Sequence, residues 1–135
     1  MRNMSFAKTV KQIQDGTKTV TRRLGWTFLK PGDYVRPVYK TMGLKKGEKV
    51  IPIREPLYIV NVRREPLDYV RGIFWDETKL EGFPEMTANE FIDMFCKMNN
   101  CKPGTIVTRI KFIYTNTEPN TTSAAKGAEF LIRNM

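Results

Sequence analysis

The stretch Asp15-Gly16-Thr17-Lys18-Thr19-Val20-Thr21-Arg22-Arg23 holds a turn glycine, one lysine, three threonines and two adjacent arginines in nine residues. A single valine is too little apolar content for a core strand, so the segment reads as a cationic binding element. Guanidinium forks beside small hydroxyl groups suit phosphate or carboxylate oxygens, because planar paired donors meet paired acceptors. Local conformation decides which groups act together. On one helical turn Lys18 and Thr21 share a face. In an extended chain the period of two sends them to opposite faces.

The rest of the chain bounds what this element can do. At 135 residues it is one domain with room for a single core. There is no histidine, which excludes a Ser-His-Asp triad, a His-Cys zinc site and an imidazole base. Chemistry falls to Lys, Thr, Glu, Asp, Tyr or Cys, and neither a metal nor a cofactor is expected. Cys96 and Cys101 are five apart and read as free thiols. No apolar run approaches the roughly 20 residues of a membrane span. Met1-Arg2-Asn3-Met4-Ser5 lacks the apolar run of a signal peptide, so a cytoplasmic, membrane-free protein is expected. The net charge of +9 is uneven: residues 1–64 carry fifteen Lys/Arg against four Asp/Glu, and residues 65–135 eight against ten. A basic half on one small domain favours a polyanionic partner, in cytosol usually nucleic acid.

Periodicity supplies the elements. Phe6, Val10 and Ile13 predict a first helix with Ser5 as N-cap and Gly16 as its stop. Lys30-Pro31-Gly32-Asp33 is a turn, followed by a strand over residues 34–39 that Pro37 assigns to an edge or a bulge. Thr41 to Lys49 is a basic loop, either a phosphate contact or a solvated tip. Leu57 to Arg64 alternates as a strand, with Tyr58, Val60 and Val62 on one face and Asn61 and Arg63 on the other. Leu67 to Leu80 predicts a helix carrying Val70, Ile73 and Phe74, loosened at Gly72; Glu81-Gly82-Phe83-Pro84 is a non-helical link. Thr87-Ala88-Asn89-Glu90 is a capping box ahead of Phe91, Phe95 and Met98. Ile106 to Tyr114 is the last strand, and residues 116–135 read as a flexible tail, with no large apolar side chain from Asn116 to Ala125 and an apolar Phe130-Leu131-Ile132 near its end. Short helices among a few strands give α+β with a compact barrel-like sheet.

Gly16-x-Lys18-x-x-Thr21-x-Arg23 resembles the G-x-K-x-x-E-x-R signature of the ASCH domain family, a branch of the PUA-like superfamily. Threonine in place of glutamate matches the G-x-K-T-[IV]-T-x-R variant of small bacterial ASCH proteins that act as N4-acetylcytidine amidohydrolases. The Lys30-Pro31-Gly32-Asp33 turn, the Glu81-Gly82-Phe83 link, the Glu90-Phe91 helix and the final strand fall in the same order, over residues 4–114. The resemblance implies a small mixed PUA-like β-barrel flanked by short helices over residues 1–115. It also implies a cleft between the opening stretch and Glu81, and recognition of RNA or a modified nucleoside.

Two functional readings differ in their residues. In the binding reading, Arg22, Arg23, Lys45 and Lys46, with Lys18 and Lys49, contact phosphates through a basic cleft. Trp26 and Tyr39, or Tyr34 and Trp75, stack on bases, and Arg63 and Arg64 extend the basic face. In the hydrolase reading, Lys18, Thr21 and Glu81 are catalytic, deacetylating N4-acetylcytidine or cleaving RNA. Thr21 attacks, Lys18 is the base once neutral, Glu81 relays protons or binds substrate, and an arginine steadies the oxyanion. A third class, a protein-interaction module, would use the acidic segment from Glu65 to Asp93.

Overall fold

A computed structural model describes residues 1–72 and 76–115. Trp75, with Ile73 and Phe74, and the tail from residue 116 lie outside these residues. The strands β1 (Arg2–Ser5), β2 (Val20–Arg23), β3 (Tyr34–Val38), β4 (Leu57–Pro66) and β5 (Ile106–Tyr114) form one sheet in the order β1-β3-β4-β5-β2. β1 runs parallel to β3, and the other neighbours are antiparallel. Three helices among the described residues, α1 (Val10–Gln14), α2 (Glu77–Leu80) and α3 (Ala88–Asn99), and a 3-10 turn at Leu67–Arg71 complete an α+β domain. Among the described residues the sheet keeps two edges, β1 and β2, and its pairings do not close the expected barrel.

Two segments depart from expectation at the start of the chain. Ser5 ends a strand rather than capping a helix; Met4 beside it is fully buried, and α1 begins only after Thr9. Gly16 stops α1 in the left-handed region, at φ +80°. The last four residues of the opening cationic stretch become β2, a buried edge strand, because Arg22 is matched by carboxylates and Arg23 by the Ser5 carbonyl and the Thr21 hydroxyl, not because the segment is apolar.

β3 is internal rather than an edge. It pairs with β4 only at Tyr34 and Val35, and further along Pro37 offers its carbonyl to the Ile53 amide at 2.8 Å. Proline has no N–H to donate, so this contact uses only the carbonyl it keeps. The Lys30–Asp33 turn forms as expected, with Asp33 N–H on the Lys30 carbonyl and Lys30 N–H on the Asp33 carboxylate. The predicted helix over residues 67–80 splits into the 3-10 turn and α2, with Gly72 extended between them.

Antiparallel partners share a face, so the register sorts the sheet. One face carries Leu57, Ile59, Val62, Ile110, Phe112 and Tyr114, which pack with Met4, Phe6, Ile13, Leu29 and Val35. The other carries Val107 into a second core with Leu67, Val70, Phe91, Ile92 and Phe95. A β-bulge between Ile59 and Asn61 makes Val60 an extra residue in β4. Leu57 and Ile59 point into the first core before it, and Val62 does so after it. The single-phase alternation expected for β4 is thus broken, since one inserted residue exchanges the faces.

α3 has the cap its sequence announces: Thr87 Oγ1 accepts from Glu90 N–H, and the Glu90 carboxylate accepts from Thr87 N–H. Phe91 and Phe95 are buried, with Ile92 as a third contact, whereas Met98 is 53% exposed. Both cysteines are free thiols.

Candidate active site

β2 is an edge strand, so residues of both its faces meet at its open side. By register, Thr21 pairs with Ile110 and Arg23 with Thr108 on the first face, and Arg22 pairs with Arg109 on the second. Lys18 lies just before the strand, where Thr19 N–H bonds the Leu80 carbonyl at 2.9 Å and ties it to the end of α2. A cavity of about 220 Å³ lies here, lined by the polar Lys18, Thr21, Arg22, Arg23 and Glu81 and by the apolar Phe83, Phe91, Met94, Phe95 and Met98. The structure thus brings Lys18, Thr21 and Glu81 to one cavity, although 60 residues separate the threonine from the glutamate.

Lys18 and Glu81 are joined twice. The Lys18 Nζ donates to the Glu81 carbonyl at 2.6 Å and to its carboxylate at 3.1 Å, with side-chain exposures of 4% and 3%. The Phe83 ring lies 5.9 Å away. An ammonium has three donors and a neutral amine two. Glu81 takes two, and no third partner is found among the described residues. Tyr114 OH donates to the Lys18 carbonyl at 2.5 Å and fixes the backbone. Burial pushes the Lys18 pKa below the usual lysine value, Glu81 pulls it back, and Arg23 and Arg22 push it down again; the net direction is down.

Thr21 is oriented by Arg23. Arg23 Nε donates to Thr21 Oγ1 at 3.1 Å and Nη2 donates to the Ser5 carbonyl at 2.6 Å, above the Phe6 ring. A cation donating to Oγ1 leaves the hydroxyl proton free and favours a developing alkoxide. Burial lowers the Arg23 pKa to about 10, against the pull of Glu81.

Arg22, expected on phosphates, is spent elsewhere. Its side chain is 0% exposed, and it binds Glu81 at 2.9 Å, Glu77 at 2.5 Å and, more weakly, Glu65 at 3.4 Å. Glu77 also accepts both Arg109 Nε and Nη2, at 2.8 and 3.1 Å, and Glu65 accepts Arg63 at 2.5 Å. Burial raises the Glu77 pKa, but Arg109 and Arg22 outweigh it and hold it below the ordinary carboxylate value. Every carboxylate in the cluster therefore keeps an arginine when Lys18 sheds its proton.

Glu65, Glu77 and Arg109 were not singled out from sequence. Arg109 offered the clearest signal, as a charge inside a strand apolar on both faces. The remaining expected binders among the described residues lie away from the cavity lining. Lys45 and Lys46 are exposed in a loop closed by Glu48, Trp26 packs half-buried against the first core and Phe28, and Tyr39 is half-exposed just past β3. No helix of the described residues is long and apolar enough to cross a membrane.

The fold has a solved counterpart. The crystal structure of protein EF3133 from Enterococcus faecalis V583, assigned to the family DUF984, is similar over 87% of this chain and 84% of its own, at a TM-score of 0.56 and 14% identity. That likeness is one of fold. No family model matches the chain, and no curated protein matches its sequence.

Proposed function

We propose that the cavity binds a single nucleoside, or one base presented by an RNA, and hydrolyses an amide on its exocyclic nitrogen, as an ASCH-type domain acting on N4-acetylcytidine would. The observation that carries this reading is the buried Lys18 amine, held by the Glu81 carbonyl and one Glu81 carboxylate oxygen, on the same cavity as the Arg23-oriented Thr21. The apolar wall of Phe83, Phe91 and Phe95 suits a planar base. A volume of about 220 Å³ is below the roughly 300–1,000 Å³ of drug-sized pockets and suits one base rather than a strand. The cations around it are largely answered by Glu81, Glu77 and Glu65, which favours a neutral hydrogen-bonding ligand over a phosphate.

In this mechanism Thr21 Oγ attacks the acetyl carbonyl carbon as its proton passes to the neutral Lys18 amine. Arg23, already at Oγ1, faces the developing negative charge. The tetrahedral adduct collapses, the C–N bond breaks, and the cytosine N4 takes the proton from Lys18. Water then hydrolyses the acetyl-threonine ester, with Lys18 as base again, releasing acetate and restoring Thr21.

The deciding experiment is a chromatographic time course of purified protein with N4-acetylcytidine, run beside Thr21→Ala. Conversion to cytidine by the wild type and not by the variant supports the reading. A wild type that leaves the substrate intact over long incubation removes the hydrolase step and leaves a binding cavity, to be followed by RNA affinity against salt.

A further inference from the structure

The buried ionic cluster is a chain and not a set of separate pairs. It runs from Lys18 to Glu81, from Glu81 to Arg22, from Arg22 to Glu77 and from Glu77 to Arg109. The last two members reach neither the cavity lining nor Lys18. Arg22 divides its guanidinium, with Nη1 on Glu81 and Nη2 on Glu77. How tightly it holds Glu81 depends on how much Glu77 draws on it, and Glu77 is shared with Arg109 by two hydrogen bonds.

We infer that Glu77 and Arg109 are positioning residues for Lys18: acting through Arg22, they govern how much of the Glu81 carboxylate is left to hold the Lys18 amine. The inference takes from the proposed reading only that Lys18 is the base. With Arg109 in place, Glu77 is satisfied in part from the far side and Arg22 stays on Glu81. Without Arg109, Glu77 pulls Arg22 toward itself, Glu81 turns to Lys18, and the ammonium is favoured. Without the Glu77 charge, Arg22 settles on Glu81 and the neutral amine is favoured. The direct Coulomb terms have the same signs. The other groups that touch Lys18 or line its cavity remain in both variants: Arg23 and Arg22 on β2, Lys8 before α1, Phe83 on the link, Asn99 on α3, and Tyr114 on β5, whose OH bonds the Lys18 carbonyl.

The test is a titration of the Lys18 Nζ by ¹⁵N chemical shift in isotopically labelled protein, which reads the amine directly and needs no turnover. Arg109→Gln should move the midpoint up by about one pH unit and Glu77→Gln should move it down by a similar amount, on the scale of one neighbouring charge. Arg109→Lys, which keeps the charge, should stay near the wild type. If Glu77→Gln does not fold, the two Arg109 variants still decide the matter. Midpoints for Arg109→Gln and Arg109→Lys that both coincide with the wild type would overturn the inference, since a purely structural pair leaves the amine unmoved. Loss of the hydrolase reading and loss of this one are separable: failure to convert N4-acetylcytidine removes the first, and unmoved Nζ midpoints remove the second.

Discussion

Lys18 reaches Glu81 at two points, carbonyl and carboxylate, across 63 residues of chain. The contact locks the end of α2 onto the start of β2. Glu81 is the only carboxylate among the described residues that joins Lys18 to Arg22. Glu81→Gln should therefore leave two buried cations short of a partner. Breaking a buried pair from one side costs about 3–5 kcal/mol. Urea denaturation should show a loss of that order. A loss below about 1 kcal/mol would mean that Arg22 and Lys18 re-pair elsewhere.

Stability should depend on alkaline pH through Lys18. A lysine in the unfolded chain has a pKa of about 10.4, and burial holds Lys18 below its ordinary value when folded. Between the two values the unfolded chain binds the proton and the folded chain does not. Stability therefore rises with pH in that window, and the penalty is complete below the folded value. The slope approaches 1.4 kcal/mol per pH unit. Relative to Lys18→Met, the wild type should gain unfolding free energy as pH climbs toward 10.4, and parallel curves for the two proteins would count against a lowered value.

Gly82 stands at φ +95°, and a Cβ there would lie 3.1 and 3.2 Å from Gln12 side-chain carbons and 3.4 Å from the Lys18 Cβ. Gln12 is itself tethered to the Gly82 carbonyl at 3.0 Å. Gly82→Ala combines a left-handed backbone, costing about 1–2 kcal/mol, with pressure on the base. Turnover should fall more than stability does. Calorimetry beside the acetylcytidine assay would reveal an alanine that fits, by showing both quantities unchanged.

Lys45 and Lys46 are exposed and remote from the cavity lining. Lys45→Ala with Lys46→Ala should leave nucleoside turnover within about twofold of wild type, because exposed charges act weakly at a distance through water. If RNA is the substrate, the double variant should still bind more weakly and with a flatter salt dependence. A large drop in turnover of the free nucleoside would bring the loop into the site.

Legibility followed the range of the interactions. The α3 cap, the Lys30 turn and the alternation of β5 depend on residues within a few positions of each other, and all three were readable in the sequence. β2 was not, because what buries Arg22 lies 43, 55 and 59 residues away in Glu65, Glu77 and Glu81. No local rule makes an Arg-Arg pair an interior strand. β1 was lost to a plausible cap at Ser5, and its pairing with β3 spans 33 positions. At the site, the family-like spacing picked out Lys18, Thr21 and Glu81, whereas the carboxylates behind them follow no spacing and appear only once α2 folds against the sheet.

The extra residue at Val60 does more than bend a strand. Glu65 stands opposite Val107, on the face that carries Arg109 and Arg22, because the count along β4 was shifted by one five positions earlier. A β4 that kept Val60 but paired with β5 without the bulge would preserve every residue, yet it would bring Arg64 opposite Val107, on the face of the guanidinium cluster, and turn Glu65 to the other face, opposite Ile106. A slip of one position that leaves the composition untouched would thus behave as a charge reversal, exchanging an anion for a cation beside Arg22. The ionic arrangement behind Lys18 is therefore written in strand register as much as in residue type.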